Sequence, residues 1–359
     1  MDAGLLQVFT TDLLCALGAP ADTAAIVAES LVTADRLGYT THGTILMPLY
    51  SQMISAGVLD PVAQPEVAAA AGATVRIDGG DGYGQLAARL AVSRGSELAR
   101  ENGVAVVGIR NGGHLGRLGE WAQLAASAEM LFLAFCNSGG GARNVAPFGG
   151  HRRMLSTNPL AFGVPAFGAL PHDVIVDVST SQVAGSLIRE HFLAGKPLEP
   201  GWVATAEGEP LTDAARMIQG EGVMLPLGGL VSGHKGYALA VIAEIFAGIA
   251  GGLMAGEHDP EWFSNAALFL FVDPKRFIPG DELGQRISSL AAYLQEDGAR
   301  LPGAGAKQRD EKVDQEGLEL PKHICSALKA LAAELHLEIP TDLPEIAAAE
   351  ERSNEARTW

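Results

Sequence analysis

The chain has 359 residues, enough for one large domain or two interleaved ones around a sizeable core. It is 48% hydrophobic and 19% charged, a composition that excludes an intrinsically disordered chain. With 42 acidic against 25 basic side chains the formal net charge is −17, a field that repels phosphate backbones and anionic membrane surfaces. Neither nucleic acid nor a membrane is therefore an expected partner, whereas a small anionic molecule needs only one or two local cations.

The predicted elements begin with helices. Leu5, Leu6, Phe9, Leu13, Leu14 and Leu17 recur at helical spacing until Gly18-Ala19-Pro20 stops the run. Asp22 is placed to cap the next helix, whose face carries Ile26, Val27, Leu31 and Ala34 and which ends at Gly38. A polar turn, Tyr39–Gly43, leads into a third helical stretch ending near Gly57.

The middle alternates. Strands are expected at Thr74–Asp78, Val104–Arg110, Met130–Cys136, Val174–Val178 and Ala267–Val272, and helices at Leu86–Asn102, Leu118–Ala128 and Gln182–Ala194. Gly236–Ala250 is apolar on nearly all sides and reads as an interior helix. Asp281–Leu294 and His323–Leu335 read as helices, and the tail from Ala347 as exposed.

Three widely spaced cysteines, Cys15, Cys136 and Cys325, lack the spacing of a disulfide framework and suit a reducing compartment. Met1–Gly4 lacks the basic region of a signal peptide. The apolar stretch around Ala238–Met254 contains Glu244 and several glycines and is short of a membrane span. The expectation is a soluble cytoplasmic protein.

Several polar segments carry candidate chemistry. Gly82–Ala87 fits G-x-G-x-x-A between a strand and a helix, but the next strand ends in Arg110, which suits a 2′-phosphate rather than a ribose, and a tight turn with close helix packing explains the short pattern better. Asn111–Arg117 is a second glycine cluster, at the start of the helix from Leu118. Free N–H groups there suit a phosphate, with Arg117 as a cation and His114 as a titratable donor. His42 lies in a polar turn, can donate a proton to a carbonyl oxygen, and has Thr41 beside it to orient its other nitrogen. No metal-ligand spacing is present: the nine histidines are scattered.

Seven segments in order are more specific than any one of them. They are Ala34–Gly38 with Thr41-His42-Gly43, Gly113–Gly116, Ala146–Gly150, Ser156–Phe162, Asp177–Ser181, His234–Tyr237 and Leu301–Gly303. Together they resemble the malate/L-lactate dehydrogenase family, which includes ureidoglycolate dehydrogenase, diketogulonate reductase and the Δ1-piperideine-2-carboxylate reductases. The resemblance spans about Leu5 to Leu335.

It implies an α/β fold that is not a Rossmann fold, with a central cofactor domain (73–277) flanked by a helical domain built from both termini (1–72 and 278–359). It also implies NADPH or NADH bound in a cleft between domains of a homodimer, and reduces Gly82–Ala87 to a structural turn. By resemblance, His114, Leu115, Gly116, Arg117 and Leu118 form the cofactor loop. Asp177, Val178, Ser179, His234 and Lys235 also line the cofactor, and Gly303–Arg309 close over it. Arg117, Lys307 and Arg309 are cations for a 2′-phosphate, which tilts the choice toward NADPH. His42 matches the family's proton donor, with Thr41 where serine is usual and His114 as the competing acid/base. Thr157 matches a substrate contact, and Tyr50 is retained near the substrate.

Two departures stand out. The arginine that usually follows the catalytic histidine by four residues, and holds the substrate carboxylate, is Leu46 here. The relay position after the Asp177 segment is Leu187. Two functions follow as expectations. One is a ketone or imine reductase acting on a small, atypical 2-oxo- or 2-imino-type substrate. The other is a relative of reduced activity that binds a dinucleotide for structure or sensing.

Overall fold

The computed structural model describes residues 1–258, 262–341 and 343; the tail from Ala347 lies outside the described residues. Among them the elements run α1 (Ala3–Ala16), α2 (Ala21–Arg36) and α3 (Met47–Ser55), then β1 (Glu66–Ala71), β2 (Thr74–Asp78), α4 (Gly84–Asn102), β3 (Val104–Arg110), α5 (Leu118–Ser127), β4 (Leu131–Asn137), β5 (Leu160–Val164) and β6 (Val174–Val178). They continue with α6 (Gly185–Leu193), β7 (Val203–Thr205), α7 (Ala214–Ile218), β8 (Gly222–Met224), α8 (Gly229–Ile249), β9 (Ala266–Val272), α9 (Gly280–Gln295), α10 (Ala304–Glu316) and α11 (Lys322–Glu334). Two compact units result: Met1–Val62 with the chain from Gln308, and Ala63–Lys307.

In the first unit α1 buries Leu6, Phe9, Leu13 and Leu14, one stripe of a 3.6-residue repeat, against α2. Asp2 caps α1 by accepting the Leu5 N–H at 2.9 Å. The expected cap at Asp22 is not found. Helix α2 starts at Ala21, one residue earlier, with Pro20 at the cap position, and the Asp22 carboxylate instead accepts the Thr23 N–H at 2.8 Å. Helix α11 buries Ile324, Cys325, Leu328 and Leu331 and packs against α3.

The second unit is built on a seven-stranded sheet in the order β1-β2-β3-β9-β4-β5-β6. Only β2 and β3 pair in parallel; every other neighbouring pair in it is antiparallel. A doubly wound dinucleotide fold needs a parallel sheet, so Gly82–Ala87 is not its fingerprint. Strand alternation sorts the faces. Phe132 and Ala134 of β4 join Val107, Ile109, Phe269, Phe271 and Trp121 in the core beneath α4 and α5. Phe135, next along β4 and on its other face, meets Phe246 of α8 edge-on, with ring centroids 4.8 Å apart.

Three parts of this unit differ from the sequence reading. The region that the sequence left blank after α6 forms a small β7–β8 sheet, with Val145, Leu198, Val203, Leu211 and Met217 in a core of its own. Helix α9 belongs here rather than with the terminal helices, because Gly280 and Gly284 seat it on Ala166 and Phe167. Helix α8 is not interior. It begins at Gly229, breaks at Ser232 (φ −127°, ψ 15°), and buries a stripe of small residues, Gly236, Ala240, Ala243 and Ala247. Its large side chains, Leu239, Ile242, Ile245 and Ile249, are exposed.

Candidate active site

The turn after α2 carries the first candidates. Thr40–His42 form one 3-10 turn and Thr44–Leu46 another, separated by Gly43 in extended backbone (φ −92°, ψ −152°). The Thr41 hydroxyl and His42 Nδ1 are hydrogen-bonded at 2.9 Å, which fixes the orientation of the ring. Asp35, near the end of α2, fixes the turn from below: its Oδ2 accepts both the Thr44 N–H (2.9 Å) and the Thr44 hydroxyl (2.7 Å). A Cβ on residue 43 would stand 1.9 Å from Asp35 Oδ1, so only glycine fits there. Asp35 is 3% exposed, and burial pushes its carboxyl up to about 7.

Leu46 and Tyr50, taken from the sequence as substrate positions, are core residues. They are 7% and 0% exposed, and the turn that carries Leu46 packs on α2, α3 and α11. Position 46 does not share a helix face with His42, because Gly43 interrupts the helix between them.

In the second unit the loop before α5 is pinned by its own amides. Asn265 Oδ1 accepts the Leu115 N–H at 3.0 Å, and the Leu115 carbonyl accepts from the Trp121 indole at 2.9 Å. The Gly116 N–H donates to His114 Nδ1 at 3.3 Å. A backbone N–H can only donate, so Nδ1 is the acceptor and Nε2 carries the proton of the neutral ring. Asp177 reaches back from β6, and its Oδ2 accepts the Gly119 N–H at 2.7 Å. A carboxylate thus already occupies the positive end of α5, where the sequence suggested a phosphate. Arg117 is 3% exposed, with its guanidinium bonded to Gln123, and is not presented to a 2′-phosphate. Leu115 and Leu118 are buried.

The other expected contacts are distributed as follows. His234 and Lys235 are exposed just past the break in α8, with the His234 ring edge-on to Phe148 at 5.6 Å. Val178 is exposed, and the Ser179 hydroxyl donates to the Ser181 carbonyl at 3.2 Å. The Thr157 carbonyl accepts both the N–H and the hydroxyl of Thr180 at 2.9 Å. Gly303 is left-handed (φ 99°) and lies against the Asp173 carbonyl, and the adjoining Pro302 carbonyl accepts the Ile175 N–H of β6. Lys307 is half-buried. In the first unit Arg309 is docked on the preceding turn, bonded to the Leu37 carbonyl with its guanidinium 5.7 Å from the Tyr39 ring centre. Arg36, a conceivable substitute for the missing arginine, is ion-paired to Asp310 and Asp314.

Two organising residues escaped the sequence reading. Asp35 was seen only as part of a motif, and nothing in the sequence reports that Thr44 lies against it. Glu244, 7% exposed, gathers three chain segments: it accepts from Asn137 Nδ2 (2.9 Å), from Asn158 Nδ2 (2.7 Å) and from the Ala255 N–H (2.8 Å). A lone carboxylate inside an apolar helix was the available signal, since burial demands such partners.

A profile of the malate/L-lactate dehydrogenase family matches residues 1–329. The chain is 33% identical over 342 residues to an L-lactate dehydrogenase of Cupriavidus necator, covering 92% of this chain and 96% of that one. It is 34% identical over 327 residues to a (2R)-3-sulfolactate dehydrogenase (NADP(+)) of Chromohalobacter salexigens, covering 88% and 93%. The crystal structure of Δ1-piperideine-2-carboxylate reductase from Pseudomonas syringae pvar. tomato superposes with a TM-score of 0.80 at 28% identity, over 92% of this chain and 99% of that one. Motif order, the mixed sheet and the whole-length matches agree: the chain belongs to the malate/L-lactate dehydrogenase family and, with it, to the NAD(P)-dependent oxidoreductases.

Proposed function

We propose that this protein reduces the ketone or imine carbon of a small 2-oxo- or 2-imino-type substrate, or oxidises the matching alcohol or amine, with His42 as the proton donor. The observation that carries this is the oriented imidazole: Thr41 holds Nδ1, and Asp35 and Gly43 fix the turn beneath it. A protein that only binds a dinucleotide gains nothing from such a group. The bound nicotinamide supplies the hydride. His42 delivers the proton to the developing alkoxide or amine, and takes it back in oxidation. The second reading, a relative of reduced activity, rests on Leu46 and on Leu187, which packs into the β7–β8 core.

For the cofactor, side chains fit better than the loop amides. His114, His234, Lys235 and Lys307 offer donors or charge to a dinucleotide, whereas Asp177 takes the first-turn amide of α5. Arg117 and Arg309 are both engaged within the protein, which weakens the case for NADPH over NADH. The dinucleotide-binding part is the unit that contains segment 73–277. The exposed apolar side of α8 fits a second copy of the chain, hence a homodimer. All three cysteines are free, which suits the cytoplasm, and no helix among the described residues is long and apolar enough to cross a membrane.

The test is a panel of 2-oxo acids, neutral ketones and cyclic imines, assayed with NADPH and with NADH. A leucine offers no bidentate partner to a carboxylate, so pyruvate is expected to turn over poorly beside cyclic imines or less anionic ketones. Binding of both dinucleotides with no turnover of any member would favour the second reading.

A further inference from the structure

The strongest unassigned feature is a cavity of about 350 Å3 in the second unit. Arg143, Arg152 and Arg153 line it together with Met154, Tyr237 and Val241, with no carboxylate among the described residues of its wall. Three of the chain's 25 basic residues thus meet in one hollow of a protein whose net charge is −17. Neither Arg152 nor Arg153 is ion-paired with a described carboxylate. Arg153 is held by neutral oxygens: Nε donates to the Gly222 carbonyl (2.9 Å), and the terminal nitrogens to the Met217 carbonyl (2.9 Å) and Asn144 Oδ1 (3.3 Å). Burial alone pushes its guanidinium down from its ordinary value. Arg152 is exposed and makes no ion pair with a described carboxylate.

We propose that this cavity is an anion-binding subsite, for a carboxylate, sulfonate or phosphate borne on a small apolar or planar body. Arg153 is a fixed, pre-organised charge, the exposed Arg152 is the donor that meets the anion, and the thioether, phenol and isopropyl groups of the lining receive the body. The volume suits a small molecule. The subsite borders the residues already assigned to function. Tyr237 stands one turn after His234 on α8, Pro147 precedes the Phe148 ring that touches His234, and Leu155, also in the wall, is two residues from Thr157. The physiological occupant rests on the oxidoreductase reading, as either a second anionic group of the substrate or a phosphate of the dinucleotide. The anion affinity does not.

The experiment is calorimetric titration of benzoate, and of inorganic phosphate, into the full-length protein without dinucleotide. It is repeated with Arg152→Gln and Arg152→Lys, with circular dichroism and Tm confirming that each variant is folded. Benzoate should bind saturably at one site, more weakly as salt is added. Its affinity should fall roughly tenfold or more in Arg152→Gln and largely survive in Arg152→Lys, since a charged donor is worth about that much. No saturable binding, or equal affinity in wild type and Arg152→Gln, overturns the proposal. Competition then identifies the source. Displacement by NADPH alone assigns the subsite to a 2′-phosphate, displacement by NADPH and NADH to the pyrophosphate, and displacement by a 2-oxo acid with both dinucleotides tolerated to the substrate. If benzoate binds and no dinucleotide does, the oxidoreductase reading fails while the subsite stands.

Discussion

Two histidines are candidates for the proposed proton donor, and their partners separate them. His114 accepts the Gly116 N–H and belongs to a loop held by Asn265, whereas His42 pairs with a hydroxyl on a turn of its own. His42→Ala is expected to lower turnover by ~10²–10⁴, the range for a positioned general acid, with dinucleotide affinity nearly unchanged. His114→Ala should instead weaken dinucleotide binding. Single-turnover rates and binding titrations on both variants decide this, and an inert His114→Ala enzyme with His42→Ala fully active reverses the roles. Asp35 gives a second prediction. Its carboxyl is raised to about 7 in the fold by burial, against an ordinary value of 3.8. Between those two values the folded state holds a proton that the unfolded state has lost, so this group's contribution to stability is present below the lower value and is lost as pH rises through 7. Asparagine keeps an acceptor for Thr44 and cannot ionise. The Tm of Asp35→Asn should therefore gain on wild type from pH 4.5 to pH 8, by an amount on the order of a few kcal/mol in stability. A constant Tm difference across that range would show that Asp35 does not titrate there.

At the scale of elements, loops are fixed by close backbone approach rather than by large cores. Gly84 opens α4, and a Cβ on it would fall 2.1 Å from the Gly112 carbonyl oxygen and 2.4 Å from that of His114. Gly84→Ala must push the His114 loop away. It is expected to lower Tm by several degrees, as large steric changes do, and to weaken dinucleotide binding. Gly185→Ala, at the open start of α6 with nothing near its Cβ position, should be neutral. Thermal melts with dinucleotide titrations check the pair, and equal effects would remove the argument. This interlock was half legible. Both glycine clusters are visible in the sequence, and so is the strand-turn-helix setting of each. That they are two sides of one contact is not, because residues 84 and 112 meet only once β2 and β3 pair.

At the scale of the whole molecule, the outward side of α8 presents a row of large apolar side chains to solvent. Leu239, Ile242, Ile245 and Ile249 are 42%, 42%, 46% and 67% exposed. Burying such a face against a second copy removes apolar area from water, at about 25 cal/mol per Å2. Two chains of net charge −17 repel each other, so the association should strengthen as salt screens that repulsion. Light scattering after size exclusion should give a dimer for the wild type and a monomer for Ile245→Glu, which would bury an unpaired charge at the interface. A wild-type monomer at micromolar concentration would remove the dimer.

The sequence by itself determined the family, the non-Rossmann α/β class, most core helices and strands, and the pairing of Thr41 with His42. The helices, the strands and the Thr41–His42 pair are local patterns, set by spacing and by side-chain chemistry along the chain, whereas the family and the fold class follow from the resemblance carried by seven ordered motifs. Only the tertiary structure decided which polar residues face inward. Asp177 closes the α5 terminus, Arg117 turns in toward Gln123, and Leu46 and Tyr50 join the core, because each finds its partners across elements far apart in sequence. The same holds for α8, whose all-round apolar sequence reads as buried. Its small residues fit the sheet closely enough to be the buried side, and its large ones are left outside.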